Sequence, residues 1–280
     1  MRLDKVMPVD MRALYATMFD KGLTSRTVKK THVILKAVFQ QAITDRTLLW
    51  NPCTGQRIPT HTPKTYRILT GEEVARIIAA PKDERVRFYS TSINHVLWTL
   101  MLNTGMRPQE ALALKWDDLK DGKLTIERAL VRVTAGTYTV GPTKTKKSRT
   151  ISIPAATLAA LAAHKTQQTT LILKLGSYYK RQGLIFATRE GEYLSPMNMF
   201  TAWERMLKRL NIPQTRLYEC RHTHASMLLT AGWPVKAVSE RLGHASAKMT
   251  LDVYAHTLPN TDAETAAFFD RLIAPKAVAS

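Results

Sequence analysis

Arg216-Leu217-Tyr218-Glu219-Cys220-Arg221-His222-Thr223-His224, followed by Leu242-Gly243-His244 and then by Leu251-Asp252-Val253-Tyr254-Ala255-His256, gathers arginine, histidine and tyrosine near the end of a 280-residue chain. These are the side chains for attack on a phosphodiester. A guanidinium fork matches two phosphate oxygens at once, histidine hydrogen-bonds or moves a proton near neutrality, and a tyrosine hydroxyl can act as a covalent nucleophile. Upstream, Thr104-Gly105-Met106-Arg107-Pro108-Gln109-Glu110 offers another arginine. Pro108 suits the first turn of a helix, so Arg107 should project from a helix N-terminus, where an anion is welcome.

Composition narrows the partner. The chain holds 41 Lys+Arg against 22 Asp+Glu, a formal charge of +19, far beyond what solubility needs. A polyanion is implied, with nucleic acid ahead of a membrane surface. No apolar run approaches the roughly 20 residues of a membrane span. Asp4, Asp10 and Asp20 interrupt what would be a signal peptide, so a cytoplasmic, nucleoid-associated protein is expected. Cys53 and Cys220 lie in unlike contexts and suggest neither a disulfide framework nor a cysteine zinc site.

Local patterns divide the chain. Between Gly22 and Asp45, Val28, Leu35, Val38, Phe39, Ala42 and Ile43 recur at helical spacing, with Thr24 or Ser25 to cap. Arg26, Lys29, Lys30 and Lys36 line the other face and are candidate DNA contacts. Gln56 to Lys64, with Pro59 and Pro63, reads as a linker. The expected division is a helical domain over 1–64 and a second domain over 65–280. The latter opens with the capping box Thr70-Gly71-Glu72-Glu73 on a helix ended by Pro81, and continues in a more apolar helix closed by Gly105. Between Asp121 and Pro154 the period becomes two, through Leu124, Ile126, Tyr138, Val140, Ile151 and Ile153, with turns at Ala135-Gly136 and Lys146-Lys147-Ser148. A small antiparallel sheet in a mainly α protein is therefore expected.

The ordered strings together resemble the tyrosine recombinase (phage integrase) family. Arg107-Pro-Gln-Glu110 resembles its first box, Arg221 with its surroundings the second, Leu242-Gly243-His244 the third, and Tyr254 the nucleophile. The resemblance implies Arg107 and Arg221 on the scissile phosphate, Glu110 in support, and His244 holding the phosphate or assisting proton traffic. The string Pro142-Thr143-Lys144-Thr145-Lys146-Lys147-Ser148-Arg149 resembles the hairpin that carries the family's catalytic lysine, assigned by position to Lys144, with Lys146 and Lys147 as alternatives or phosphate contacts. Tyr218 stands where most members have His or Lys. A phenol with a pKa near ~10 is a poor base at neutrality, so a hydrogen-bonding role is expected of it. His222 and His224 read as structural, Cys220 as a small buried residue, and no metal ligand set is evident.

The fold so implied is a tyrosine-recombinase catalytic domain preceded by a partial helical core-binding domain, short for the family and with no arm-binding domain recognisable. The implied reaction is site-specific cleavage and rejoining of double-stranded DNA through a 3′-phosphotyrosyl intermediate, without cofactor, metal or ATP. A homo-tetramer on two duplexes, with an accessory DNA-bending protein, belongs to the same picture. Thr261-Asp262-Ala263-Glu264 should cap a terminal helix bearing Ala267, Phe268, Leu272 and Ile273 that packs on a neighbouring protomer. Two rivals remain: a helix-turn-helix regulator built on Ala231 to Gly243, and a site-independent relaxing enzyme of the type IB topoisomerase kind.

Overall fold

The structure, a computed structural model, describes residues 2–58, 67–80, 88–134 and 137–255, together with Ala266 and Phe269. The expected linker from Pro59 onward, Pro81, the Ala135-Gly136 turn, His256 and the terminal-helix residues Thr261–Glu264, Ala267, Phe268, Leu272 and Ile273 lie outside the described residues. The chain forms two compact units, Met1–Thr65 and Tyr66–Ser280. Among the described residues no helix is long and apolar enough to cross a membrane.

The first unit is built on helices α1 (Pro8–Asp20) and α2 (Ser25–Thr44). α1 starts on Pro8, and the Asp10 carboxylate accepts from the Met7 backbone N–H at 2.8 Å. Acid near a helix start and proline in its first turn are the signals that mark it. Thr24 caps α2. The core joins Met11 and Tyr15 of α1 to Val28 and Phe39 of α2 and to Cys53. Val38, expected in that stripe, is 49% exposed. One helical step of about 100° from Phe39 turns it outward. Arg26, Lys29, Lys30 and Lys36 are all exposed.

In the second unit the expected capping box closes α3 (Gly71–Ala79): Glu73 N–H donates to Thr70 Oγ1 at 3.2 Å, and Thr70 N–H to Glu73 Oε2 at 2.9 Å. α4 (Phe88–Thr104) supplies the middle of the core through Leu97, Leu100 and Met101. The period-two segment makes two small antiparallel sheets rather than one. β1 (Leu119–Lys120), β2 (Lys123–Ile126) and β5 (Arg149–Ser152) form the first, in the order β1-β2-β5. β3 (Arg128–Thr134) and β4 (Thr137–Pro142) form the second. The turn over Thr143–Lys147 returns the chain beside β2, pairing Leu124 with Ile151 and Ile126 with Arg149. β3 and β4 keep only each other, which leaves Val131, Val133 and Val140 exposed.

Helices α5 (Pro108–Leu112), α6 (Ala155–Leu175), α7 (Pro196–Arg209), α8 (Glu219–Thr230), α9 (Val235–Leu242) and α10 (Ala247–Tyr254) complete the unit. α4 packs against both α6 and α8. Trp203 of α7 lies edge-on to Trp98 and donates its indole N–H to Thr215 O at 2.9 Å, tying α7 to the segment that leads into α8. Ala225, Leu229, Val238 and Leu242 form a small apolar cluster with the Tyr254 ring. The stretch that suggested a helix-turn-helix is therefore the packing that seats Tyr254.

Candidate active site

Arg107 is the residue just before α5, held there by a glycine turn and by Pro108. Gly105 has φ +64°, and a Cβ on it would stand 2.6 Å from Leu242 Cδ2 and 2.8 Å from His224 Cδ2, so both its backbone conformation and its packing select glycine. One turn on, Glu110 folds back: its carboxylate accepts from the Arg107 backbone N–H at 3.0 Å and from Arg107 Nη1 at 2.7 Å. Glu110 is 1% exposed, and an acid so buried persists as an anion only if paired. Arg149 of β5 supplies the pairing, with Nη2 to Oε2 at 2.7 Å and Nη1 to Oε1 at 3.3 Å. Burial alone would raise the Glu110 pKa. The hydrogen bonds and charge of Arg149, then those of Arg107, more than offset it and hold the carboxyl below its ordinary value.

Arg221, in the first turns of α8, is 1% exposed. Its Nη1 donates to Gly105 O at 2.9 Å, so the glycine turn that releases Arg107 also aims Arg221. Its Nη2 is buried and has no hydrogen-bond partner among the described residues. Burial, then the neighbouring Arg107 cation, pushes its pKa down to about 10, which leaves it charged at neutrality. A desolvated cation with an unspent donor beside a second cation is stabilised by an anion bridging both.

His244 follows Gly243, the left-handed residue (φ +68°) that ends α9. Its Nδ1 is 2.7 Å from Thr250 Oγ1. Burial, then Arg221, Arg107 and Arg149, push its pKa down to about 4, so the ring is neutral at neutral pH. Tyr254, the last residue of α10, is 3% exposed, and its hydroxyl lies 2.7 Å from His222 Nδ1. Burial raises its pKa above the ordinary phenol value, with Arg221 and Arg107 pulling the other way.

The structure thus brings Arg107, Glu110, Arg221, His244 and Tyr254 into one electrostatically linked cluster. Tyr218 immediately precedes α8, is 37% exposed, and packs its ring against His222 with centroids 5.4 Å apart. Lys144, Lys146 and Lys147 are exposed on the Thr143–Lys147 turn. Lys144 makes no hydrogen bond or ion pair among the described residues, so nothing in the geometry joins it to the cluster. His224 is structural: its Nδ1 is 2.9 Å from Leu102 O and its Nε2 accepts from Arg241 Nε at 3.1 Å. Cys220 is buried with a free thiol, and no group of three potential metal ligands occurs among the described residues.

Two further residues belong to the site. His222, which resembles His224 in the sequence, faces Tyr254. Arg149 belongs by sequence to a basic hairpin, yet it alternates with Ile151 and Ile153 and so points inward with them, a signal present in the period-two pattern. Besides gripping Glu110, Arg149 donates Nε to Arg241 O at 3.0 Å and lies against Gly243, where a Cβ would come within 2.8 Å of its Nη1. It therefore fastens the Glu110 carboxylate to the segment that carries His244. Arg149→Ala leaves a buried carboxylate half-paired, and should destabilise the second unit by about 3 kcal/mol or more. Urea midpoints measure this, and an unchanged midpoint would mean that Glu110 is not held by Arg149.

Comparison with known proteins agrees in sequence and in fold. The phage integrase family model matches residues 67–261. The chain is 30% identical over 280 aligned residues to a tyrosine recombinase XerC-like protein of Caldanaerobacter subterraneus, covering 92% of this chain and 69% of that one. It is 29% identical over 263 residues to the ICEBs1 integrase of Bacillus subtilis, covering 91% and 68%. Among solved structures, the Tn1549 transposon integrase in complex with transposon right end DNA superposes with a TM-score of 0.78 at 23% identity, over 98% of this chain and 88% of that one. The last likeness bears on fold alone, whereas the family match spans most of the second unit and takes in every residue of the cluster from Arg107 to Tyr254. This chain belongs to the phage integrase family, the tyrosine recombinases.

Proposed function

We propose that the chain is a site-specific DNA recombinase of a phage or other mobile element, which cuts and rejoins double-stranded DNA through a 3′-phosphotyrosyl intermediate. The observation that carries this reading is the buried Arg221 Nη2, without a hydrogen-bond partner among the described residues, beside Arg107, His244 and Tyr254. A phosphodiester placed there satisfies the orphan donor and neutralises both guanidiniums. As Tyr254 Oη bonds to phosphorus and the P–O5′ bond breaks, charge builds on the nonbridging oxygens, where fixed cations stabilise most. Two arginines supply the positive charge that other phosphoryl-transfer enzymes draw from metal ions. The phosphotyrosine conserves the bond energy, so ATP is not required.

In this reading His244, neutral and fixed by Thr250, donates to the phosphate. Lys144 protonates the leaving 5′-oxygen, and Lys146 and Lys147 contact backbone phosphates. Residues 1–64 act as a core-binding domain whose Arg26, Lys29, Lys30 and Lys36 meet DNA phosphates, and residues 65–280 as the catalytic domain. Full strand exchange engages four protomers on two duplexes, aided by an accessory bending protein, in the nucleoid. The helix-turn-helix alternative has no use for the convergence of Arg107, Arg221 and Tyr254.

Affinity for duplex DNA should be governed by phosphate contacts and counterion release. It should therefore fall by about 10³-fold or more between about 50 and about 200 mM salt if six or more phosphates are contacted. Fluorescence anisotropy across that range checks this, and a flat response contradicts a DNA enzyme of this charge. Recombination between two plasmid sites taken from the flanking genomic DNA, against none between arbitrary sequences, separates a site-specific recombinase from a relaxing enzyme.

A further inference from the structure

We propose that His222 is the general base that takes the proton from Tyr254 as its oxygen attacks phosphorus. The inference rests on the reading of Tyr254 as nucleophile and adds the proton acceptor which that reading lacks. The hydroxyl and His222 Nδ1 are 2.7 Å apart, within direct transfer distance, and the two rings are in contact with centroids 5.4 Å apart. Neighbouring helical positions diverge by about 100°. While Arg221 reaches Gly105, the next residue of α8 is therefore turned toward α10 and Tyr254.

The other candidates are worse placed. Tyr218 occupies the position where a base is common in the family, but a neutral phenol is a hydrogen-bond donor rather than a ready proton acceptor. It packs instead against His222. His244 Nδ1 is engaged by Thr250, and His224 is engaged through both ring nitrogens.

The groups facing His222 are Tyr218, Glu219 and Arg221 around its own helix start, Arg216 just before it, Tyr254 from α10, and His244 beyond α9. Burial lowers the imidazole pKa. Glu219 opposes that, while Arg221 and Arg216 reinforce it. The ring is therefore neutral at neutral pH, and the base role takes the tautomer with its hydrogen on Nε2, which leaves the Nδ1 lone pair to the Tyr254 hydroxyl. In cleavage, the Oη–P bond forms, the P–O5′ bond breaks, and the Oη proton passes to Nδ1 to give an imidazolium. The 5′-oxygen takes its proton from a separate acid, Lys144 in the assignment above. In strand transfer the imidazolium returns its proton to the departing Tyr254 oxygen.

The test is single-turnover cleavage of a nicked suicide duplex by the full chain. His222→Ala should cleave about 10²-fold or more slowly, with DNA affinity and urea midpoint near wild type. Added imidazole should restore part of the rate in a concentration-dependent manner, and should not help Tyr254→Phe. The acid limb of the wild-type pH–rate profile should be absent from the variant. A duplex with sulfur replacing the bridging 5′-oxygen needs no acid for its leaving group, so it should leave the His222→Ala defect in place. His222→Asn, which keeps a polar group near Oη but takes no proton, carries the same test if the alanine variant does not fold. Cleavage by His222→Ala at the wild-type rate would overturn the proposal, as would rescue by the sulfur substrate, which would make His222 an acid, or a slow variant that imidazole fails to rescue. If Tyr254→Phe still forms an adduct, the nucleophile reading itself fails. If it is inactive while His222→Ala is unimpaired, only the base assignment fails.

Discussion

Arg221→Ala is expected to slow strand cleavage by roughly 10³-fold or more, because an arginine facing a phosphoryl transition state supplies several kcal/mol. The structure gives the reason for the size. Arg221 is buried, holds Gly105 O with one nitrogen, and keeps the other for the incoming phosphate. Lysine is a single point of charge and cannot fill both positions, so Arg221→Lys should recover little. Folding should suffer less than activity, since removing Arg221 also relieves its repulsion with Arg107. Tyr218→Phe, by contrast, loses at most one phenol hydrogen bond, about 1 kcal/mol or roughly fivefold, and Tyr218→His should be tolerated. Single-turnover cleavage by the four variants decides the ranking. Tyr218→Phe as inactive as Arg221→Ala would give the phenol a proton-transfer role and displace His222 from it.

The parts of this molecule that could be read from sequence are those set by short-range rules. The Thr70–Glu73 capping box, the Thr24 cap and the Gly105-x-x-Pro108 break each depend on a few adjacent residues, and the structure has them where the pattern puts them. Arg107 and Glu110, three apart across the start of a helix, meet for the same reason. What stayed hidden depends on register or on tertiary packing. The period-two pattern marks β2, β4 and β5 equally, yet only the return of the chain at Thr143–Lys147 decides that β5 joins β2 while β4 pairs with β3. The burial of Arg149 follows from that register. α1 lies outside the motifs that fix the second unit, although Pro8, Asp10, Met11 and Tyr15 mark a helix with one buried face. His222 and His224 look alike in sequence, and only the placement of α10 against α8 makes one the neighbour of Tyr254 and leaves the other to Arg241. Lys144 is the reverse case, since its assignment comes from position in a motif and the described contacts add nothing to it.

Tyr254→Phe offers the sharpest separation of enzyme from binding module. The substitution removes one oxygen and keeps the ring that packs with Leu229, Val238 and Leu242, so fold and DNA affinity should persist. The nicked suicide duplex releases a short fragment on cleavage and blocks religation, and the expected result is accumulation of a protein–DNA adduct by wild type and none by Tyr254→Phe. Tyr138→Phe, altered on β4, should match wild type. Peptide mapping of the wild-type adduct should place the DNA on Tyr254. Attachment at any other residue, or an equal yield of adduct from Tyr254→Phe, would contradict the mechanism.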